Sequence, residues 1–239
     1  MRIASIVRKE LRSSFNAPIA WIVLVLFLAW SSVWFFLIHD FFAANVASLR
    51  GYFGVMPLVF VVLVPAITMR MWAEEESSGT SEVLRTLPFH EYELVLGKYL
   101  AGLLLVLLAI ALTLFVPWLV TPLGDFERGE ILGQYLGLVL LASAALAIGQ
   151  FFSSLSRNQI SAFLFSALAL LVLVLIARVN SVVELPSWLA AIVDYLSIEY
   201  HFRSFNRGVL DTRDLVYFLG VTALGLRLTT FVLTARKYR

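Results

Sequence analysis

The run LAGLLLVLLAIALTLFVPWLV, residues 100–120, holds no ionisable side chain. About twenty apolar residues in a row make a helix about 30 Å long, which matches the hydrocarbon core of a bilayer. Runs of this length recur, and they place six spans at roughly 19–38, 52–71, 98–120, 131–152, 159–179 and 215–234. The chain is 61% hydrophobic and 14% charged, against about 25% charged in an ordinary soluble domain. So oily a chain cannot cover a soluble fold with polar groups. The expected fold class is an all-α integral membrane protein of six transmembrane helices. Residues 1–239 are expected to form a single transmembrane domain, with no nucleotide-binding domain expected among them. Pro57 and Pro65 in the second span and Pro117 in the third are expected to kink their helices, because proline lacks a backbone donor.

The N-terminal segment comes before any span. Ile3, Ile6, Val7, Leu11 and Phe15 recur at helical spacing, with Arg2, Arg8, Lys9 and Arg12 between them. This pattern suits a helix lying in the membrane interface. A basic leader that only sets topology is a compatible reading. The following apolar run reaches about Ile38, longer than a signal sequence needs, and is read as an uncleaved span. Orientation follows from basic residues near the span ends. With the N-terminus in the cytoplasm, eleven Lys and Arg lie inside and six outside. Both termini are therefore cytoplasmic, and so is the link between spans two and three.

Span four concentrates small residues, among them Gly133, Gly137, Ala145 and Gly149. Small side chains let helix backbones approach closely, so this is a packing face, within the chain or between subunits. After span five, Trp188, Leu189, Ile192, Val193 and Leu196 share one face of a helix at the outer surface; a cap over the helix ends is the alternative. Arg227 is the exception among span residues. It is near enough the inner end to snorkel, and a polar partner inside the bundle is the other reading.

Motifs for chemistry are missing. No GxxxxGK[ST] loop is present, so nucleotide hydrolysis by that route is not expected of this chain. HEYEL at His90–Leu94 fails as a zinc motif because Leu94 stands where a second histidine is required. The absence of cysteine excludes disulfides and thiolate metal sites. No basic stripe with stacking aromatics points to nucleic acid. No metal or cofactor is expected on this chain.

Between the second and third spans lies a polar island, WAEEESSGTSEVLRTLPFHEYELVLGK, with six of the chain's sixteen acidic residues. Ser77–Gly79 reads as a break. Thr80 suits an N-cap, Glu82 the first turn, and Pro88 ends a short helix with Val83, Leu84 and Leu87 on its apolar face. Such a helix between two spans can dock into a partner and pass motion to the membrane. A solvated connector fits the same residues equally well.

The island resembles the hallmark of ABC-2-type permeases, the membrane subunits of ATP-binding-cassette exporters. The resemblance is carried by the acidic Glu74–Glu76, the Gly79-Thr80 step, Val83 and Leu84, Pro88, and Gly97-Lys98 at the third span. RKELRSSFNAPIAWIV and AIGQFFSSLSRNQISAF match other parts of that family. FNRGVLDTRDLVYFLGVT is similar to its gliding-motility-associated, GldF-like branch. The resemblance implies a cytoplasmic ABC ATPase dimer that holds ATP and Mg. It also implies pairing with a second copy or a related permease, and an accessory subunit with an extracytoplasmic domain. On this reading Glu74, Glu75, Glu76, Gly79, Thr80, Glu82, Val83, Leu84, Arg85, Leu87 and Pro88 form the coupling segment. The acidic side chains would meet basic residues of the ATPase, in the inner membrane of a bacterium. A non-transporting anchor or scaffold, or a stand-alone secondary carrier, are the alternatives.

Overall fold

The computed structural model describes residues 2–38, 41, 47–80, 90–178, 180 and 186–237. Helix α1 (Arg2–Asn16) leads into α2 (Pro18–Val33), whose last turns widen into a π-helix at Trp34–Ile38. Next come α3 (Arg50–Gly54), α4 (Met56–Thr68) and the short α5 (Ala73–Ser77). The third span is α6 (Glu91–Leu112) continued by α7 (Phe115–Val120). Then follow α8 (Arg128–Leu155) and α9 (Gln159–Leu175). The chain ends with α10 (Ser187–Leu196), α11 (Ile198–Asn206) and α12 (Thr212–Lys237). Six of these stretches are long and apolar enough to cross a bilayer. The protein is an all-α, six-span membrane protein, because a backbone in hydrocarbon must satisfy its own polar groups and helices do so.

The prolines act in three different ways. Pro117 cannot donate to the carbonyl of Thr113, and the third span breaks at Thr113–Leu114 between α6 and α7. Pro65 lies inside α4. Pro57 does not kink its span: it sits in the first turn of α4, where a missing N–H costs nothing. The span starts at Met56 rather than at 52, and Arg50–Gly54 is a separate helical turn.

Helix α8 is the hub of the bundle. It packs most extensively on α12, then on α9, α4, α11 and α6. Its small residues make this possible. A Cβ on Gly149 would run into Thr68 of α4, and one on Gly137 into Phe205 of α11. A Cβ on Gly133 would lie 3.0 Å from Gly208 Cα, and Ala145 is buried. From the other side, a Cβ on Gly225 of α12 would lie 2.9 Å from the backbone of Ala147. Gly133, Gly137 and Gly149 thus receive neighbours from the same chain. Polar contacts add to the packing: Tyr99 and Ser143 hydroxyls are 2.6 Å apart, Ser143 and Thr222 3.0 Å, and Gln150 Nε2 donates to Val95 O at 3.0 Å.

At one end, called the α5 end, lie α1, α5, the start of α6 and the ends of α8 and α12. Lys237 bonds Glu91 at 2.6 Å there, and Arg236 donates to Leu155 O at 3.1 Å. At the opposite α11 end, Arg50 holds Glu130 through two bonds of 3.0 Å. Helix α10 forms as expected, but none of its residues is buried and Trp188 is 66% exposed. Helix α11 was not expected; Ile198, Phe202 and Phe205 bury its inner face. Arg227 lies on the exposed side of α12, with no ion pair among the described residues, so the reading with a partner inside the bundle does not hold.

Candidate functional site

The second span ends in turns at Met69–Trp72, and α5 starts at once. Three consecutive glutamates therefore follow directly on the apolar run of the second span. Each meets a different cation. Glu74 accepts from Arg70, one turn earlier, at 2.6 and 2.8 Å. Glu75 accepts from Lys98 Nζ of α6 at 2.7 Å. Glu76 lies 3.6 Å from Arg236, near the end of α12.

Lys98 is the centre of this arrangement. Only 3% of it is exposed, and an ammonium so buried needs carboxylates in place of water. It has two, since Glu10 of α1 also accepts from Nζ, at 3.2 Å. The Trp72 ring lies 5.0 Å from Nζ and adds a cation–π attraction. One oxygen of Glu75, Oε2, is buried with no hydrogen-bond partner among the described residues. The Arg70–Glu74 pair is more exposed and is worth less, about 1 kcal/mol or below.

Gly97 explains how α1 gets there. A Cβ on it would lie 2.6 Å from Ile6 Cγ2. Without that atom α1 lies directly on α6 and brings Glu10 to Lys98. The Gly-Lys pair is one device: the glycine admits α1, and the lysine ties it to α5.

The start of α5 is capped from a different helix. Ser153 Oγ of α8 accepts from the N–H groups of Trp72 at 3.1 Å and Ala73 at 3.4 Å, two donors that a helix start leaves unpaired. At its other end α5 stops at Gly79, whose φ of +72° is the left-handed conformation that terminates helices. Thr80 Oγ1 lies 2.9 Å from Ser78 Oγ. Glu82, Val83, Leu84, Arg85, Leu87 and Pro88 lie outside the described residues.

Glu74, Glu75 and Glu76 were expected to face the basic residues of a partner. Within the chain each also lies against a cation of its own, and Glu75 is largely enclosed while Glu74 and Glu76 stay partly exposed. Sequence reading singled out the glutamates and Lys98 but not Glu10, Trp72, Ser153 or Arg236. Nothing local to α5 marks those four, because their role arises only when distant helices pack.

A family model described as ABC-2 family transporter protein matches residues 35–207. The chain belongs to the ABC-2 transporter family. No curated protein matches it. The match runs from the end of the first span through α11, and so takes in α5, Lys98 and Ser153. As an ABC-2 transporter the chain is a membrane permease subunit of an ABC transporter. Such subunits are typically non-catalytic, and membership implies an ABC ATPase and the bilayer as partners. In this ABC-2 permease the polar island is welded to the bundle by α5, through ion pairs that reach α1, α6 and α12 and a cap supplied by α8.

Proposed function

We propose that this permease couples ATP hydrolysis by a separate cytoplasmic ATPase to export or envelope work, with residues 74–88 as the coupling segment. The observation that carries the reading is the tie of α5 to α6 and α12 by ion pairs, to α8 by the Ser153 cap and, through Lys98, to α1. A displacement of the segment is delivered to the second span covalently, to the third through Lys98, to the last through Arg236 and to α1 through Glu10. The acidic residues serve as the joint on the permease side. The surface offered to the ATPase is the segment beyond Gly79, where Val83 and Leu84 form the apolar pair.

The basic residues near the span ends favour an α5 end in the cytoplasm, with both termini there, in a bacterial inner membrane. ATP and Mg then belong to the ATPase. A second permease, identical or related, completes the pathway. The GldF-like resemblance of residues 205–222 suggests an accessory subunit with an extracytoplasmic domain. The test is affinity purification of the tagged chain from its own membranes in mild detergent. A P-loop ATPase is expected in the sample and is expected to be lost from the Val83→Asp, Leu84→Asp variant. Retention of the ATPase by that variant, or no ATPase at all, rejects the proposal.

A further inference from the structure

The turn joining α11 to α12, at the end of the bundle opposite α5, is held from several sides. Phe205 seats on Gly137. Gly208, with φ of +75°, lies so near α8 that a Cβ on it would be 2.8 Å from Glu130 Cα. His201 Nδ1 and Asp214 Oδ1 are 2.6 Å apart and both residues are buried. The Tyr217 ring stacks on the imidazole at 3.8 Å. A turn fixed in this way presents its outward side chains in one arrangement.

Beside it opens a cavity of about 460 Å³, lined by Arg203, Arg207, Arg213, Tyr195, Tyr200 and Ser204 among others. Glu199 positions Arg203 at 3.2 Å. Arg207 and Arg213 have no ion-pair partner among the described residues. Two carboxylates also line it: Asp211 accepts the Arg213 backbone N–H at 2.8 Å, and Asp214 sets Oδ1 against His201 while its buried Oδ2 has no hydrogen-bond partner among the described residues. Guanidinium forks match the oxygens of phosphate, and aromatic faces suit the carbon frame of an attached group. The cavity lies beside the first turn of α12, the helix that forms the sixth candidate span.

We propose that this cavity binds a phosphate ester, gripped by Arg207 and Arg213. The ester is either a lipid headgroup or a free organic phosphate. The site is independent of the α5 coupling segment, so failure of either proposal leaves the other standing.

The experiment is calorimetric titration of the full-length protein in neutral detergent with dioctanoyl phosphatidylglycerol and, separately, with glycerol phosphate. Saturable binding of at least one is expected. Arg207→Ala with Arg213→Ala is expected to weaken it about tenfold or more. The double lysine variant, which keeps the charge but loses the fork, falls between. Arg128→Ala, an exposed charge at the same end, leaves binding unchanged. Binding of the lipid alone assigns a headgroup site, and equal binding of both assigns a free-ester site. No saturable binding of either probe, or equal affinity in the double alanine variant, overturns the proposal.

Discussion

Replacing Lys98 by Met removes the cation between Glu75 and Glu10 while keeping most of the side-chain volume. The two carboxylates then share a site with no positive charge between them. Glu75 is mostly enclosed, and its Oε2 already has no partner among the described residues. Breaking a buried pair from one side costs about 3–5 kcal/mol. Glu10 is partly hydrated, so the lower end, about 3 kcal/mol, applies here. At about 2–4 °C per kcal/mol for a chain of this size, the melting temperature in detergent should fall by about 6 °C or more. Glu75→Gln is expected to be far milder, about 1 kcal/mol, because Lys98 keeps Glu10 as a partner. The double variant, Lys98→Met with Glu75→Gln, should melt above Lys98→Met alone, since no unpaired charge remains on Glu75. The assay is thermal unfolding of the purified protein, read by loss of monodisperse material. A Lys98→Met protein melting within about 2 °C of wild type, or a double variant no better than the single, refutes the reasoning.

Four further outcomes follow from the packing and the proposed orientation. Gly137→Ala drives a methyl into Phe205 and should cost about 1–3 kcal/mol in the same melting assay. Gly220→Ala, with open space at its Cβ, should be neutral or stabilising by up to about 1 kcal/mol. Ser153→Ala leaves the Trp72 and Ala73 N–H groups without their acceptor, and hydrogen exchange at these two amides should accelerate at least about fivefold, a loss of about 1 kcal/mol. The chain has no cysteine, so single cysteines report topology directly. A membrane-impermeant maleimide should label Asp211→Cys in intact cells, and Ser78→Cys only after permeabilisation.

Much of the fold was legible because bilayer spans are written in continuous apolar runs. The break ahead of Pro117 was legible for a local reason too, a missing donor acting four residues upstream. Pro57 was misjudged, since the same residue type starts a helix when it falls in the first turn. Helix α11 was missed although Ile198, Phe202 and Phe205 stand at helical spacing and Ser197 caps the start, its Oγ 3.3 Å from Tyr200 N. The glutamates of α5 were conspicuous as a cluster, but their partners were not. Glu10 lies 88 positions from Lys98, and Ser153 lies 81 from Trp72. Only the docking of α1 through Gly97 and of α8 through Gly149 brings these groups together.

The central claim is that an ATPase docks at the α5 end and moves the bundle from there. The most direct measurement places a photoreactive amino acid at Ser78, just beyond α5, and, as a control, at Asp211 at the α11 end. Both are irradiated in native membranes with and without ATP. The account predicts that Ser78 captures a P-loop ATPase with an ATP-dependent yield, and that Asp211 captures none. Capture of the ATPase from Asp211, or its absence from Ser78 in both nucleotide conditions, would contradict it.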